Sequence, residues 1–211
     1  MTRSAVAGLL LAAGAGRRMG TPKGLLRDPD GTAWVARSVD ALRAGGCLPV
    51  HVVVGAAAAE VTSLVPPGDA VRVVVAAGWA EGMAASLRAG LRALLAAPEE
   101  PVAVVVGLVD TPGVTADVVA RLAALAAPSG LARAAFGGVP GHPVLLGREH
   151  WAGVLATAVG DSGARDYLAG RDVALVECGD VGHGADVDTP ATATPPAAPA
   201  RPAGPPPTLA L

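Results

Sequence analysis

Residues 5–11 are a continuous apolar run, with no polar residue at every second position. That is the pattern of a strand buried on both faces, which needs packed layers above and below it. The run then breaks into Ala12-Ala13-Gly14-Ala15-Gly16-Arg17-Arg18-Met19-Gly20-Thr21-Pro22-Lys23. Small residues let a backbone approach a ligand closely, and glycines let successive N–H groups point into one concavity. An arginine and a lysine held over that concavity suit a polyphosphate. The stretch reads as a phosphate-binding loop at the carboxyl end of a first strand. The same residues also fit an ordinary strand-to-helix turn whose arginines face water.

Further apolar runs predict strands over 49–54, 71–76, 102–109, 131–136, 143–146 and 173–177. Between them, apolar residues at helical spacing predict helices over 32–44, 56–65, 82–96, 115–126, 148–157 and 164–169. Gly45-Gly46 and Pro66-Pro67-Gly68 close two of these, and Thr115 is placed to cap another. Strands alternating with helices predict an α/β fold, a single domain with a mostly parallel sheet flanked by helices. In such sheets ligands bind beyond the carboxyl ends of the strands, where the opening loop lies.

The 211 residues suit one domain with a full-sized core, here residues 1–190. A hydrophobic share of 52% against 16% charged argues for a globular chain. The formal net charge of −2 leaves no electrostatic footprint for nucleic acid. Cys47 and Cys178 have neither pairing nor metal spacing, which suits a reducing compartment. A signal peptide would need its cleavage site inside the glycine loop, and no apolar run is long enough to span a membrane. A cytoplasmic protein is expected. After Pro190 the composition turns to proline and alanine without a period, so residues 191–211 read as a disordered or polyproline-like tail.

Two named nucleotide motifs do not fit. A Walker loop needs Gly-Lys followed by Ser or Thr, whereas Lys23 stands between Pro22 and Gly24. A dinucleotide fingerprint runs G-x-G-x-x-G straight into a helix, with an acid ending the second strand. Here Gly16 and Gly20 are one residue too far apart, Pro22 interrupts, and the second strand ends in Gly55. Asp110, directly after the apolar run 102–109, is placed either as a Mg²⁺ ligand at a strand end or as a turn acid.

The series Leu11-Ala12-Ala13-Gly14, Arg18-Met19-Gly20 and Lys23 resembles the signature of the MobA-like nucleotidyltransferases. Their branch holding molybdenum cofactor cytidylyltransferase is the nearest in pattern. The resemblance implies a Rossmann-like nucleotidyltransferase fold. It implies that Leu11, Ala12, Ala13 and Gly14 wrap the triphosphate of an NTP, with Arg18 and Lys23 neutralising it. Ala-Ala-Gly is the form of the CTP-using branch, whereas the guanylyltransferase branch shows Ala-Gly-Gly. Val109-Asp110-Thr111-Pro112 matches the family's Asp-x-Pro while departing at the residue before. Asp186-Val187-Asp188-Thr189-Pro190 matches its Asp-x-Asp-Thr-Pro, then continues Ala191-Thr192 where the family has Glu-Asp. By that likeness Asp110 and Asp188, the latter taken over Asp186, would hold Mg²⁺, and Ser86 in Gly78–Ser86 would contact the base. Gly141-His142-Pro143 and Gly160–Arg165 resemble elements of the half that receives the second substrate, and His142 is given no proton-transfer role.

The implied reaction is transfer of CMP from CTP to a phosphorylated acceptor, the molybdopterin form of the molybdenum cofactor, with release of pyrophosphate. A molybdenum enzyme would be the eventual recipient. Other readings are a sibling transferase for a sugar phosphate, polyol phosphate or phospholactate, a dinucleotide-dependent enzyme, and a non-catalytic carrier of the cofactor. For the tail, a chain ending at Thr194 is expected to melt at the same temperature as the full chain in a calorimetric scan. A clear drop would show that the tail packs.

Overall fold

In a computed structural model, which describes residues 5–187, the opening apolar run forms strand β1, Val6–Ala12, buried at all its positions. It lies between β2 (Val50–Val54), apolar but for the buried His51, and the continuously apolar β4 (Ala103–Leu108), both parallel to it. Strand β3 (Val71–Val75) extends the sheet on one side, and β6 (Val139–Gly147), β5 (Leu131–Phe136) and β7 (Ala174–Glu177) extend it on the other. The order is β3-β2-β1-β4-β6-β5-β7 in one seven-stranded sheet. Only β6 runs against its neighbours, because it leaves β5 through the tight turn Gly137-Gly138, where both residues have positive φ. The sheet is thus mostly parallel, as the pattern of the sequence predicts.

Helices α1 (Trp34–Ala44) and α4 (Ala116–Ala123) cover one face of the sheet. Their buried Trp34, Val35, Val39, Leu42, Val118, Val119 and Leu122 sit at i, i+3 and i+4 spacings. Helices α3 (Met83–Ala96) and α5 (Trp151–Thr157) cover the other face through Leu87, Leu91, Leu94, Trp151 and Val154. The short helices α2 (Ala58–Ser63) and α6 (Arg165–Leu168) complete the α-helices among the described residues. Thr115 caps α4 as expected, its Oγ1 accepting from the Val118 N–H at 3.3 Å.

Three local differences from the sequence reading have physical causes. Helix α1 starts at Trp34 rather than Thr32, because Thr32 closes the preceding turn: its N–H donates to Asp30 Oδ1 and its carbonyl accepts from Asp28 N. Strand β6 begins at Val139, four residues before the predicted start. Its first residues run past the helical layers into solvent, so they carry no apolar pattern. Strand β3 reads as apolar but for Arg72, yet it is the sheet edge and leaves Val75 64% exposed. Asp188, Thr189, Pro190 and the predicted tail lie outside the described residues. Among the described residues no helix is long and apolar enough to cross a membrane.

Leu122 is fully buried between α4 and the sheet. Leu122→Ala is expected to lower unfolding stability by about 2–5 kcal/mol, the range for emptying a core leucine site, read from the urea midpoint at unchanged slope.

Candidate active site

The loop after β1 opens at the carboxyl ends of the parallel strands. Gly16 has φ +60°, and a Cβ there would strike the Thr21 carbonyl, so the fold of the loop requires glycine at that position. Its carbonyl accepts from Met19 N at 2.8 Å, which turns the chain back toward Pro22. The turn delivers Lys23, the first residue of a short 3₁₀ segment, Lys23–Leu25. Lys23 Nζ donates to Asp110 Oδ2 at 2.7 Å, with the two side chains 16% and 22% exposed.

Asp110 owes its place to β4, which ends two residues earlier beside β1; Val109 N donates to the Leu11 carbonyl at 3.2 Å. The Asp110 carbonyl in turn accepts from Val187 N at 3.0 Å, which docks the Asp186-Val187 stretch against the end of β4. Further bonds hold that stretch down. Thr115 Oγ1 donates to the Val181 carbonyl, His183 N donates to the Gly113 carbonyl, and Arg121 pairs with Asp180 at 2.6 Å. Asp186 therefore belongs to a segment fixed beside Asp110, while Asp188 lies outside the described residues.

The opposite wall is built by the 3₁₀ turn Trp79–Glu81 and the start of α3. Gly55, at the end of β2, is where this wall approaches the loop: a Cβ there would meet Trp79 and come within 2.8 Å of the Ala13 carbonyl. The first turn of α3 is closed by a distant loop, with Ala84 N donating to the Gly160 carbonyl at 2.9 Å and Met83 N to Asp161 Oδ1 at 3.3 Å. Arg88 Nη1 fastens the same loop from within α3 by donating to the Ala158 carbonyl at 2.6 Å.

Together these parts enclose a cleft of ≈ 400 Å³, within the size range of small-molecule sites. Of the residues singled out in the sequence, Leu11, Ala13, Gly14, Arg18, Lys23, Ser86 and Asp110 line it. Ala12 does not, because alternation along β1 turns its side chain into the core on the α1 side. Asp161 lines the cleft, whereas Arg165 stands 78% exposed on α6 beside Asp166. Trp79, Ala80, Glu81, Gly82 and Met83 complete the wall.

Behind Asp110 the strand β6 carries His142. Burial pushes its pKa down to about 4, the Arg133 charge acts in the same direction, and the Asp110 carboxylate opposes them. The imidazole is therefore neutral at neutral pH. Because its folded pKa is depressed below 6.5, the stability it contributes is present above that value and is lost as the pH falls toward about 4. The ring protons of His142, followed by NMR, are expected to show no titration near 6.5 and a midpoint about 4. A midpoint in the ordinary histidine range would contradict this environment.

Comparison with known proteins agrees with this architecture. Residues 8–176 match the family model described as MobA-like NTP transferase domain. The chain is 36% identical over 194 residues to "Nicotine blue oxidoreductase" of Paenarthrobacter nicotinovorans, covering 87% of this chain and 92% of that protein. Among solved structures it is similar to the homologue of Mycobacterium tuberculosis rv0371c from Mycobacterium sp. strain JC1. That match has 30% identity and a TM-score of 0.74, and covers 89% of this chain and 92% of that one. The Mycobacterium tuberculosis Rv0371c structure in complex with manganese is 25% identical with a TM-score of 0.66, covering 82% of this chain and 88% of that one. By the family model and by these relatives, the chain belongs to the MobA-like NTP transferase family.

Proposed function

We propose that this protein transfers CMP from CTP to the phosphate of a molybdopterin-type molybdenum cofactor and releases pyrophosphate. The observation that carries the reading is the Lys23–Asp110 pair, a cation and a carboxylate held 2.7 Å apart at the mouth of the phosphate loop. A nucleoside triphosphate with its divalent ion offers each partner a stronger counterpart. Lys23 turns to the phosphates together with Arg18, and Asp110 is left to the ion. In-line phosphoryl transfer asks mainly for positioning and charge neutralisation, which such a site supplies.

The donor set suits Mg²⁺. The ion prefers hard oxygen ligands and is commonly held by one or two carboxylates plus substrate phosphates. Asp110 and Asp188 would hold the ion. Bound there, it would supply charge neutralisation to the reacting phosphates. The manganese in the Rv0371c complex supports divalent-ion use in this family. Ser86, 5% exposed on the cleft wall, would meet the base. The acceptor's phosphate is already ionised, so no general base is needed. A cytoplasmic setting, where CTP is available, agrees with Cys47 and Cys178 being free and buried. The product would pass to a molybdenum enzyme.

One observation favours a second reading: the relative from Paenarthrobacter nicotinovorans carries the name of an oxidoreductase. The pyrophosphate of a reduced nicotinamide dinucleotide would occupy the same loop. Pro22 and Gly55, which break the dinucleotide fingerprint, count against it.

The test is pyrophosphate release with each NTP, with and without molybdenum cofactor. Release with CTP that depends on both the cofactor and Mg²⁺ is expected. Asp110→Asn should lose most of that turnover, on the order of a hundredfold or more, at an unchanged melting temperature. Turnover within a few-fold of wild type would remove Asp110 from the metal site. Faster release with GTP would reject the cytidylyl assignment. No release from any NTP, together with saturable NADPH binding, would establish the second reading.

A further inference from the structure

Ser86 stands in the first turn of α3, 5% exposed, and lines the cleft. An enclosed serine or threonine on a helix commonly bonds its hydroxyl to the carbonyl one turn back. Ser38 does so on the Trp34 carbonyl at 2.9 Å, and Thr157 on the Gly153 carbonyl at 2.8 Å. The Ser86 hydroxyl makes no hydrogen bond among the described residues. A polar group withdrawn from water without a partner is costly until a ligand supplies one.

A second unfilled position stands close by. Asp161 also lines the cleft, and its Oδ1 accepts from Met83 N at 3.3 Å. Met83 precedes Ser86 by three residues, which places the two on one side of the helix about 5–6 Å apart. Asp161 Oδ2 accepts from nothing among the described residues. The loop that carries it is fastened twice, by Ala84 N on the Gly160 carbonyl at 2.9 Å and by Arg88 Nη1 on the Ala158 carbonyl at 2.6 Å. Gly82 has φ +118°, and a Cβ there would come within 2.6 Å of Asp161 Oδ1, so glycine lets the carboxylate close on the helix. The wall of the cleft thus presents one anchored acceptor and, a helical turn on, one hydroxyl free to donate or accept.

We propose that Asp161 reads the base of the nucleotide, its Oδ2 accepting from the exocyclic amino group of cytosine while the Ser86 hydroxyl donates to the ring acceptor beside it. This rests on the reading of the protein as a CTP-using transferase in which Ser86 meets the base, and it adds the residue that sets the choice of base. Cytosine offers an amino donor where uracil has a carbonyl oxygen, and a carboxylate accepts from the first and repels the second. Guanine places two donors side by side and calls for both oxygens of a carboxylate. One oxygen of Asp161 is already committed to Met83 N. One free acceptor beside one hydroxyl is the pattern that cytosine fills.

Calorimetric titration of CTP, UTP and 2′-deoxy-CTP into the full chain with Mg²⁺, and with no acceptor present, tests the assignment. Wild type is expected to bind CTP more tightly than UTP by roughly ten- to a hundred-fold, the effect of one charge-assisted contact. Asp161→Asn keeps an oxygen for Met83 N and turns an NH₂ group toward the base, so it should reverse the order and favour UTP. A role confined to holding the start of α3 would weaken both nucleotides alike. Asp161→Ala offers neither acceptor nor donor, so its two affinities should converge. It decides the matter should Asp161→Asn not fold.

Equal binding of CTP and UTP by wild type overturns the proposal, and so does a CTP preference that survives in Asp161→Asn. If the substitutions instead abolish discrimination against 2′-deoxy-CTP, the carboxylate belongs to the ribose and the base assignment falls. If wild type binds neither CTP nor UTP, the reading as a CTP-using transferase falls together with the proposal. CTP binding with the expected reversal, but without pyrophosphate release in the transfer assay, would refute the reaction and leave the recognition of the base standing.

Discussion

The ion pair between Lys23 and Asp110 is the contact on which the arrangement of the cleft depends. It joins residues 87 positions apart, and neither could reach the other unless β1 and β4 lay side by side. Those strands are adjacent because both are apolar along their length and need cover on both faces, which favours the middle of the sheet. The pair is also partly withdrawn from water, where unlike charges attract more strongly and an unmatched charge is more costly. A ligand carrying both signs of charge, such as a metal-bound nucleotide, matches both partners at once. A ligand with only one sign would leave one of them unmatched.

Around that pair hydrogen bonds to the backbone tie the chain. The segment ending at Val187 is held to the Asp110 turn through Val181, His183 and Val187, and Arg121 anchors its start at Asp180. On the opposite side, the loop at Gly160 and Asp161 closes the first turn of α3, the helix that carries Ser86. The cleft wall at the start of α3 is therefore mechanically continuous with the Gly160-Asp161 loop. The alternation of β6 within an otherwise parallel sheet brings His142 to the same end as Asp110, because an antiparallel strand presents its beginning where its neighbours present their ends.

The family membership and the manganese-bound relative give this geometry a chemical context. Relatives of similar fold can differ in chemistry, since function resides in the site rather than in the sheet. The oxidoreductase name of one relative is a case in point. What bears on the alternatives is the charge pattern of the cleft: Arg17, Arg18 and Lys23 along the loop after β1, with Asp110 against Lys23.

The amino-acid sequence by itself determined the alternation of strands and helices, the loop after the first strand and the Asp110 position. These depend on local patterns: continuous apolar runs, helical spacing, and glycines where φ must be positive. The turn Gly137-Gly138 and the cap at Thr115 were legible for the same reason. Tertiary structure alone decided that Lys23 pairs with Asp110, that Val75 lies at an edge, and that Ala12 faces the core instead of the cleft. It also decided that His142 lines a recess adjoining the cleft, which no spacing along the chain could show. Strand order and register are set by contacts between residues far apart in sequence, and a side chain's partners follow from that order. Local propensity carries no information about it.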